Sequence, residues 1–323
     1  MLDQLSFLDN YDFYRSSNDL AQKYRRDPSE KVCRFCGKAY PETTFITIPH
    51  IVPELFGRNT VTSNEECDVC NQLFQPHETD TATMVQHYLT MLNIKTKKGV
   101  PGFQSRKKPR EYATTFRIVD GQRKIHFDKN LYDFEIDELK KTFTVFFRTK
   151  NFRPYSVYRT FLKMAIAVLS ANDLRMNPHY IQFLNSSEPI INGMQNYFAW
   201  RYVQKTKIYT QPSISLFKAK ELVINENQYP EFVAILYFAN VVWQMFLPIS
   251  KKNIEKYTLG QGLTFLHYPS FMLENMAYLQ HVGFKYQNNS LDIEHIELHH
   301  LDLSTTEKIS ITDKMVLHYQ SKY

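Results

Sequence analysis

The sequence predicts an α+β protein in two parts: a small cysteine-bearing unit near the N-terminus and a larger mixed domain after it. Three observations predict this. All four cysteines fall between positions 33 and 70, as Cys33-x-x-Cys36 and Cys67-x-x-Cys70. Apolar residues recur at helical spacing over two stretches, Thr79–Asn93 and Pro154–Ala171. Elsewhere short β-branched and aromatic runs are separated by turn residues, the pattern of strands. At 323 residues the chain is also too long for one small core.

In chain order, residues 1–30 read as a polar and aromatic lead-in arm, with a helix expected around Asn18–Arg26 and a break at Pro28. Residues 31–94 form the cysteine-bearing unit. Its strand signal is the alternating run Thr43–Ile48, closed by Pro49. Its helix is expected from Thr79, capped by Thr79 or Asp80, with Met84, Val85, Tyr88, Leu89 and Leu92 on the apolar stripe. Residues 95–111 carry Gly99, Pro101, Gly102 and Pro109 and read as a basic linker.

Residues 112–323 read as a mixed α+β domain. Thr114–Val119 and Lys124–Phe127 flank Asp120-Gly121, a hairpin signal, and Thr142–Arg148 is a further strand. The helix from Pro154 leaves only a thin polar stripe, so it should be buried. Strands are then expected at Ser213–Phe217, Phe232–Phe238, Val241–Phe246, Ile293–Leu301 and Lys308–His318.

Composition narrows the function classes. A hydrophobic fraction of 43% and an aromatic fraction of 15% are those of a folded chain. Nine glycines and no GxxxxGK[ST] or GxGxxG motif argue against a phosphate cradle. The net charge is +6, yet Lys95, Lys97, Lys98, Arg106, Lys107, Lys108 and Arg110 fall together with no acid between them, a concentration that suits a polyanion. The N-terminus carries acids where a secretory signal would be basic. The apolar run Phe232–Ile249 contains Asn240, Gln244 and Pro248, so it reads as buried strands rather than a membrane span. The expected compartment is a reducing cytoplasm, where paired CxxC units signify metal more often than disulfide.

Each CxxC turn can aim two sulfurs at one point, and two such turns supply the four ligands of tetrahedral Zn2+. Cys33, Cys36, Cys67 and Cys70 are therefore expected to hold a structural zinc. With all four positions filled, no site on that ion is left for a substrate.

Between the two pairs run Ile48-Pro49-His50-Ile51-Val52-Pro53-Glu54-Leu55-Phe56-Gly57 and Ser63-Asn64-Glu65-Glu66, and Asn71 follows the second pair. This segment, about residues 31–94, resembles the HNH endonucleases, a superfamily with a ββα-metal site, in the subset pinned by two CxxC pairs. The resemblance implies metal-dependent hydrolysis of DNA, with RNA the less expected substrate. It implies that His50 is the general base and that Asn64 orients the loop and helps to hold His50. It also implies that Asn71 offers its side-chain oxygen to Mg2+ or Mn2+. Many members carry Asp or His just before the base, where this chain has Pro49. Glu54, His77 or Glu78 would then supply the missing ligand, and Glu78 is the first choice because a carboxylate suits Mg2+ better than imidazole.

Roles in restriction or phage defence belong to the same resemblance. The alternative reading is a non-catalytic, zinc-dependent nucleic-acid-binding protein whose site was lost at Pro49. Two further clusters have plainer readings. Glu294–His300 reads as the solvated face of a strand rather than a second metal site. Trp200-Arg201-Tyr202 fits a packed aromatic core at least as well as a base-stacking surface.

Overall fold

The computed structural model describes residues 5–20, 27–104, 115–119, 122–126, 134–137, 142–147, 152–185, 196–204, 207–224, 227–248, 266–268, 276–285, 296–302, 309–311 and 316–319. In chain order the elements are α1 (Leu5–Asn10), β1 (Tyr11–Ser16), α2 (Asp68–Met91), β2 (Phe103–Gln104), β3 (Thr115–Val119), β4 (Gln122–His126), β5 (Phe134–Asp137) and β6 (Thr142–Phe147). There follow α3 (Pro154–Val168), α4 (Ala171–Met176), α5 (His179–Asn185), β7 (Asn196–Gln204), β8 (Tyr209–Ala219), β9 (Val223–Ile224), β10 (Asn227–Gln228), β11 (Phe232–Ala239) and β12 (Val241–Phe246). The chain closes with β13 (Met276–Lys285), β14 (Ile296–Asp302), β15 (Ile309–Ile311) and β16 (Val316–Tyr319). The protein is α+β, as its sequence predicts.

Two compact units interleave along the chain rather than following one another. One comprises Met1–Thr79 and Pro154–Tyr286, the other Asp80–Arg153 and Gln287–Tyr323. The first is built on a six-stranded antiparallel sheet in the order β1-β8-β11-β12-β7-β13. The second contains a five-stranded sheet, β15-β16-β4-β3-β2, and a three-stranded one, β14-β6-β5.

The apolar run at Phe232 becomes the central hairpin β11–β12, and burial on both faces explains why it does not alternate. Val233, Ile235, Val242 and Phe246 pack with Phe7, Tyr11, Trp200, Tyr202 and Phe217. On the other face Trp243 meets Phe161 of α3, with ring centroids 5.4 Å apart. The helix α3 is buried from Ser156 to its end at Val168, as its thin polar stripe requires. No helix among the described residues is long and apolar enough to cross a membrane.

Several expectations are revised. Residues 11–16, read as part of an arm, form β1 and pair with β8 from Tyr11↔Ala219 to Ser16↔Ser215, because Phe7 and Tyr11 carry large rings into the core. Ser17–Leu20 is a 3-10 turn rather than the start of a helix. The strand expected at Thr43–Ile48 does not form. Its backbone is captured by the Asp68 carboxylate, which accepts from the N–H groups of Ile46 (2.9 Å) and Thr47 (2.8 Å) and from the hydroxyls of Thr44 and Thr47. The helix α2 starts at Asp68, eleven residues before Thr79, and continues through Pro76.

The hairpin of β3 and β4, the strand β6 and the helix α3 fall where they were expected. Trp200, Arg201 and Tyr202 lie buried on β7, the core reading. The turn Asp120-Gly121, the basic residues between Arg106 and Arg110, and Glu294 and His295 lie outside the described residues.

Candidate functional site

The first cysteine pair sits in a tight knuckle. Val32 and Ala39 bridge its ends, Cys33 N–H donates to Lys38 O (2.8 Å) and Gly37 N–H to Cys33 O (2.8 Å). Gly37 turns the chain with φ +72, the left-handed region that favours glycine. The second pair opens α2. Cys67 precedes the helix, and its sulfur accepts the N–H of Cys70 (3.4 Å), the orphan donor a capping side chain normally takes.

The four sulfurs all lie within 4.8 Å of one another, with Cys36 and Cys67 3.8 Å apart. A tetrahedral ion with Zn–S bonds of about 2.3 Å puts its sulfurs about 3.8 Å apart. The quartet is thus positioned to hold one ion, and its all-thiol donor set fits structural zinc. The cysteines are free thiols rather than disulfides. Hydrogen bonding from Cys70 holds the Cys33 thiol far below its ordinary value, at about 4, while the Cys70 thiol is pushed up by the same contact.

Between the pairs, two extended segments run antiparallel: His50 bridges Thr62, Ile51 N–H donates to Val61 O (3.0 Å) and Ser63 N–H to Pro49 O (2.8 Å). With α2 they make a ββα unit. The loop joining them contains a 3-10 turn at Glu54–Phe56, closed by Gly57 N–H on Glu54 O (3.1 Å); Gly57 has φ 133, which a side chain would disfavour. Phe56 is fully buried against Phe238 (5.0 Å) and Phe161 (6.0 Å), which pins the turn to the large sheet and α3.

Asn59 laces this loop. Its Nδ2 donates to Val52 O (2.9 Å) and Gly57 O (3.3 Å), and its Oδ1 accepts from Val61 N–H (3.2 Å). Two carbonyls on one side and an N–H on the other fix which way the amide points. Its Oδ1 also lies 3.1 Å from Nδ1 of His50. Since that oxygen can only accept, Nδ1 must carry the proton, and the lone pair of the neutral ring is left on Nε2. Nε2 is 3.6 Å from Oε2 of Glu54, and both side chains are partly exposed.

The other site candidates divide. Asn71 is half-buried in the first turn of α2, one position past Cys70. Asn64 is buried ahead of the second cysteine pair, whereas the amide on the His50 ring belongs to Asn59. Sequence reasoning missed Asn59. The only signal was an asparagine two positions after the loop glycine, in a stretch with no periodicity. Glu78 does not present a free carboxylate, because it accepts from Lys163 Nζ (2.9 Å). His77 places Nδ1 3.1 Å from the Ser156 hydroxyl of α3. Lys95, Lys97 and Lys98 are exposed around the turn Thr96–Gly99.

The HNH endonuclease family model matches residues 33–87. Over these residues the chain is similar to the HNH endonucleases. The match begins at the first ligand cysteine and includes His50, Asn59, Glu54, the second cysteine pair and most of α2. The HNH family implies a nuclease-type function and a nucleic-acid substrate, and the four-cysteine cluster accords with the zinc-pinned form. No curated protein matches the chain, and no solved structure matches it.

Proposed function

We propose that this protein is a metal-dependent endonuclease that hydrolyses DNA phosphodiester bonds at His50. The observation that carries the reading is the His50–Asn59 hydrogen bond. It selects the ring tautomer whose Nε2 can take a proton from an attacking water, and it holds the ring in place while it does so. An imidazole has the right affinity for this near neutral pH. Asn71 is the residue on α2 whose side-chain oxygen would hold Mg2+ or Mn2+, and such an ion supplies charge stabilisation at the phosphate and the leaving oxygen. Asn64 acts on the loop that carries these groups. The exposed lysines beside Thr96 are suited to phosphate contacts, and the four thiolates require a reducing compartment. A role in restriction or phage defence rests on the family resemblance alone.

Purified zinc-loaded protein incubated with plasmid should nick it with Mn2+ or Mg2+ and not with EDTA. His50→Ala should abolish nicking while zinc content and DNA binding persist. A labelled RNA in the same assay separates the two nucleic acids.

A second reading, a non-catalytic nucleic-acid binder stapled by zinc, is favoured by Pro49 at the usual ligand position and by the engagement of Glu78 with Lys163. It predicts DNA binding that is indifferent to His50→Ala, and no cleavage with either ion.

A further inference from the structure

The His50 ring and the Glu54 carboxylate face each other at 3.6 Å, two acceptors opposed whenever Nε2 carries no proton. With the proton fixed on Nδ1 by Asn59, Nε2 presents a lone pair, and Glu54 Oε2 presents another 3.6 Å away. That gap is wider than the roughly 2.7–3.2 Å of an N–H···O bond, so a proton on Nε2 would not close it directly. Oε2 is therefore an oxygen donor beside the reactive nitrogen that the ring does not use up.

The carboxylates that follow Glu54 along the chain as far as Asp80 are already engaged. Glu65 accepts from Arg34, Glu66 is ion-paired with Lys163, Glu78 accepts from Lys163, Asp68 from the Thr44–Thr47 segment, and Asp80 from Arg153. Among the described residues Glu54 faces only the His50 ring. Its backbone is rigid, held by Gly57 N–H on its carbonyl and by the burial of Phe56 two positions on.

We propose that Glu54 is the carboxylate ligand of the divalent cation at this site, taking the role that Pro49 cannot fill. The inference rests on the endonuclease reading for the cation's purpose, but not for its binding. A half-buried carboxylate on a rigid turn is a hard oxygen donor of the kind Mg2+ and Mn2+ prefer.

The test is Mn2+ binding to the full, zinc-loaded chain without nucleic acid, read by the loss of the free-Mn2+ electron paramagnetic resonance signal. The wild type should bind one Mn2+, and Glu54→Gln should weaken it by about 10–100-fold, with zinc content and thermal melting unchanged. Glu54→Asp keeps a carboxylate and should recover part of the affinity, which separates ligand loss from misfolding. Glu78→Gln should leave Mn2+ affinity as it was. Unchanged affinity in Glu54→Gln, loss on Glu78→Gln alone, or no Mn2+ bound by the wild type would each overturn the proposal. Mn2+ binding that depends on Glu54 in a protein that never cuts DNA would overturn the endonuclease reading and leave this one standing.

Discussion

Lys163 of α3 places its Nζ 2.8 Å from Oε1 of Glu66 at a point where the two side chains are 4% and 2% exposed. The same ammonium reaches Glu78 at 2.9 Å, so a buried cation joins two carboxylates that flank the second cysteine pair. Burial pushes the Glu66 carboxyl up to about 7 against the pull of Lys163. Desolvation works against the Lys163 ammonium as well, yet the two carboxylates hold it above its ordinary value. Arg34 makes a parallel link. From the first cysteine knuckle it pairs with Glu65 and donates to the carbonyls of Ile166 (3.2 Å) and Leu169 (2.6 Å) at the end of α3.

Removing the shared cation should therefore be severe. Lys163→Met leaves two carboxylates without their partner, one of them sealed from water, and should destabilise the protein by about 3–5 kcal/mol. Denaturant unfolding of the zinc-loaded protein measures it. Adding Glu66→Leu to Lys163→Met should recover much of the loss, because the uncompensated buried charge is then gone. A double variant no more stable than the single one would refute this account.

Asn59→Ala frees the His50 ring to take either tautomer and to rotate. Plasmid nicking should fall by about 10–100-fold with little change in zinc content or DNA affinity. Nitrogen-15 chemical shifts of the His50 ring give a direct check: the wild type should show the Nδ1–H tautomer and the variant a mixture.

The two metals should separate by chemistry. Hard oxygen ligands release their ion quickly, whereas four thiolates do not, so brief EDTA treatment followed by Mg2+ should restore nicking with one zinc per chain still bound. Cys67→Ser should lose zinc and lower the melting temperature, because it removes a ligand of the ion that ties the two cysteine pairs together while a serine can still cap α2. Cobalt substitution should give the visible absorption of a tetrahedral tetrathiolate. Zinc lost and nicking gained would contradict a structural role.

Asp68 carries a pH dependence of defined sign. Desolvation opposes its ionised form, but hydrogen bonds from Thr44, Thr47 and the Ile46 and Thr47 N–H groups hold its carboxyl well below the ordinary value of 3.8. A depressed carboxyl contributes stability that is complete above the unfolded value and is lost as pH falls below it. The melting-temperature gap between wild type and Asp68→Asn should thus be widest near neutrality and shrink below about pH 4. At neutral pH the Ile46 and Thr47 amides should exchange with deuterium faster in Asp68→Ala.

Much of the site was legible because its signals are local. A CxxC pair aims two sulfurs within one turn, and His-x-x-Pro-x-x-x-Gly fits one loop, so Cys33, Cys36, Cys67, Cys70 and His50 could be picked out without tertiary information. Glu78 could not be judged this way, since the lysine that engages it lies 85 positions away. Thr43–Ile48 has the composition of a strand, yet local propensity lost to a carboxylate already placed at the start of α2.

By itself the sequence determined the chemistry on offer: four thiols, an imidazole, and amides and carboxylates at spacings that suit two metals, on α+β periodicities. Only the tertiary structure decided how those groups are used, because hydrogen-bond partners and burial are set by contacts remote along the chain. It gave Glu78 to Lys163, gave the ring of His50 to Asn59, and left Glu54 beside Nε2.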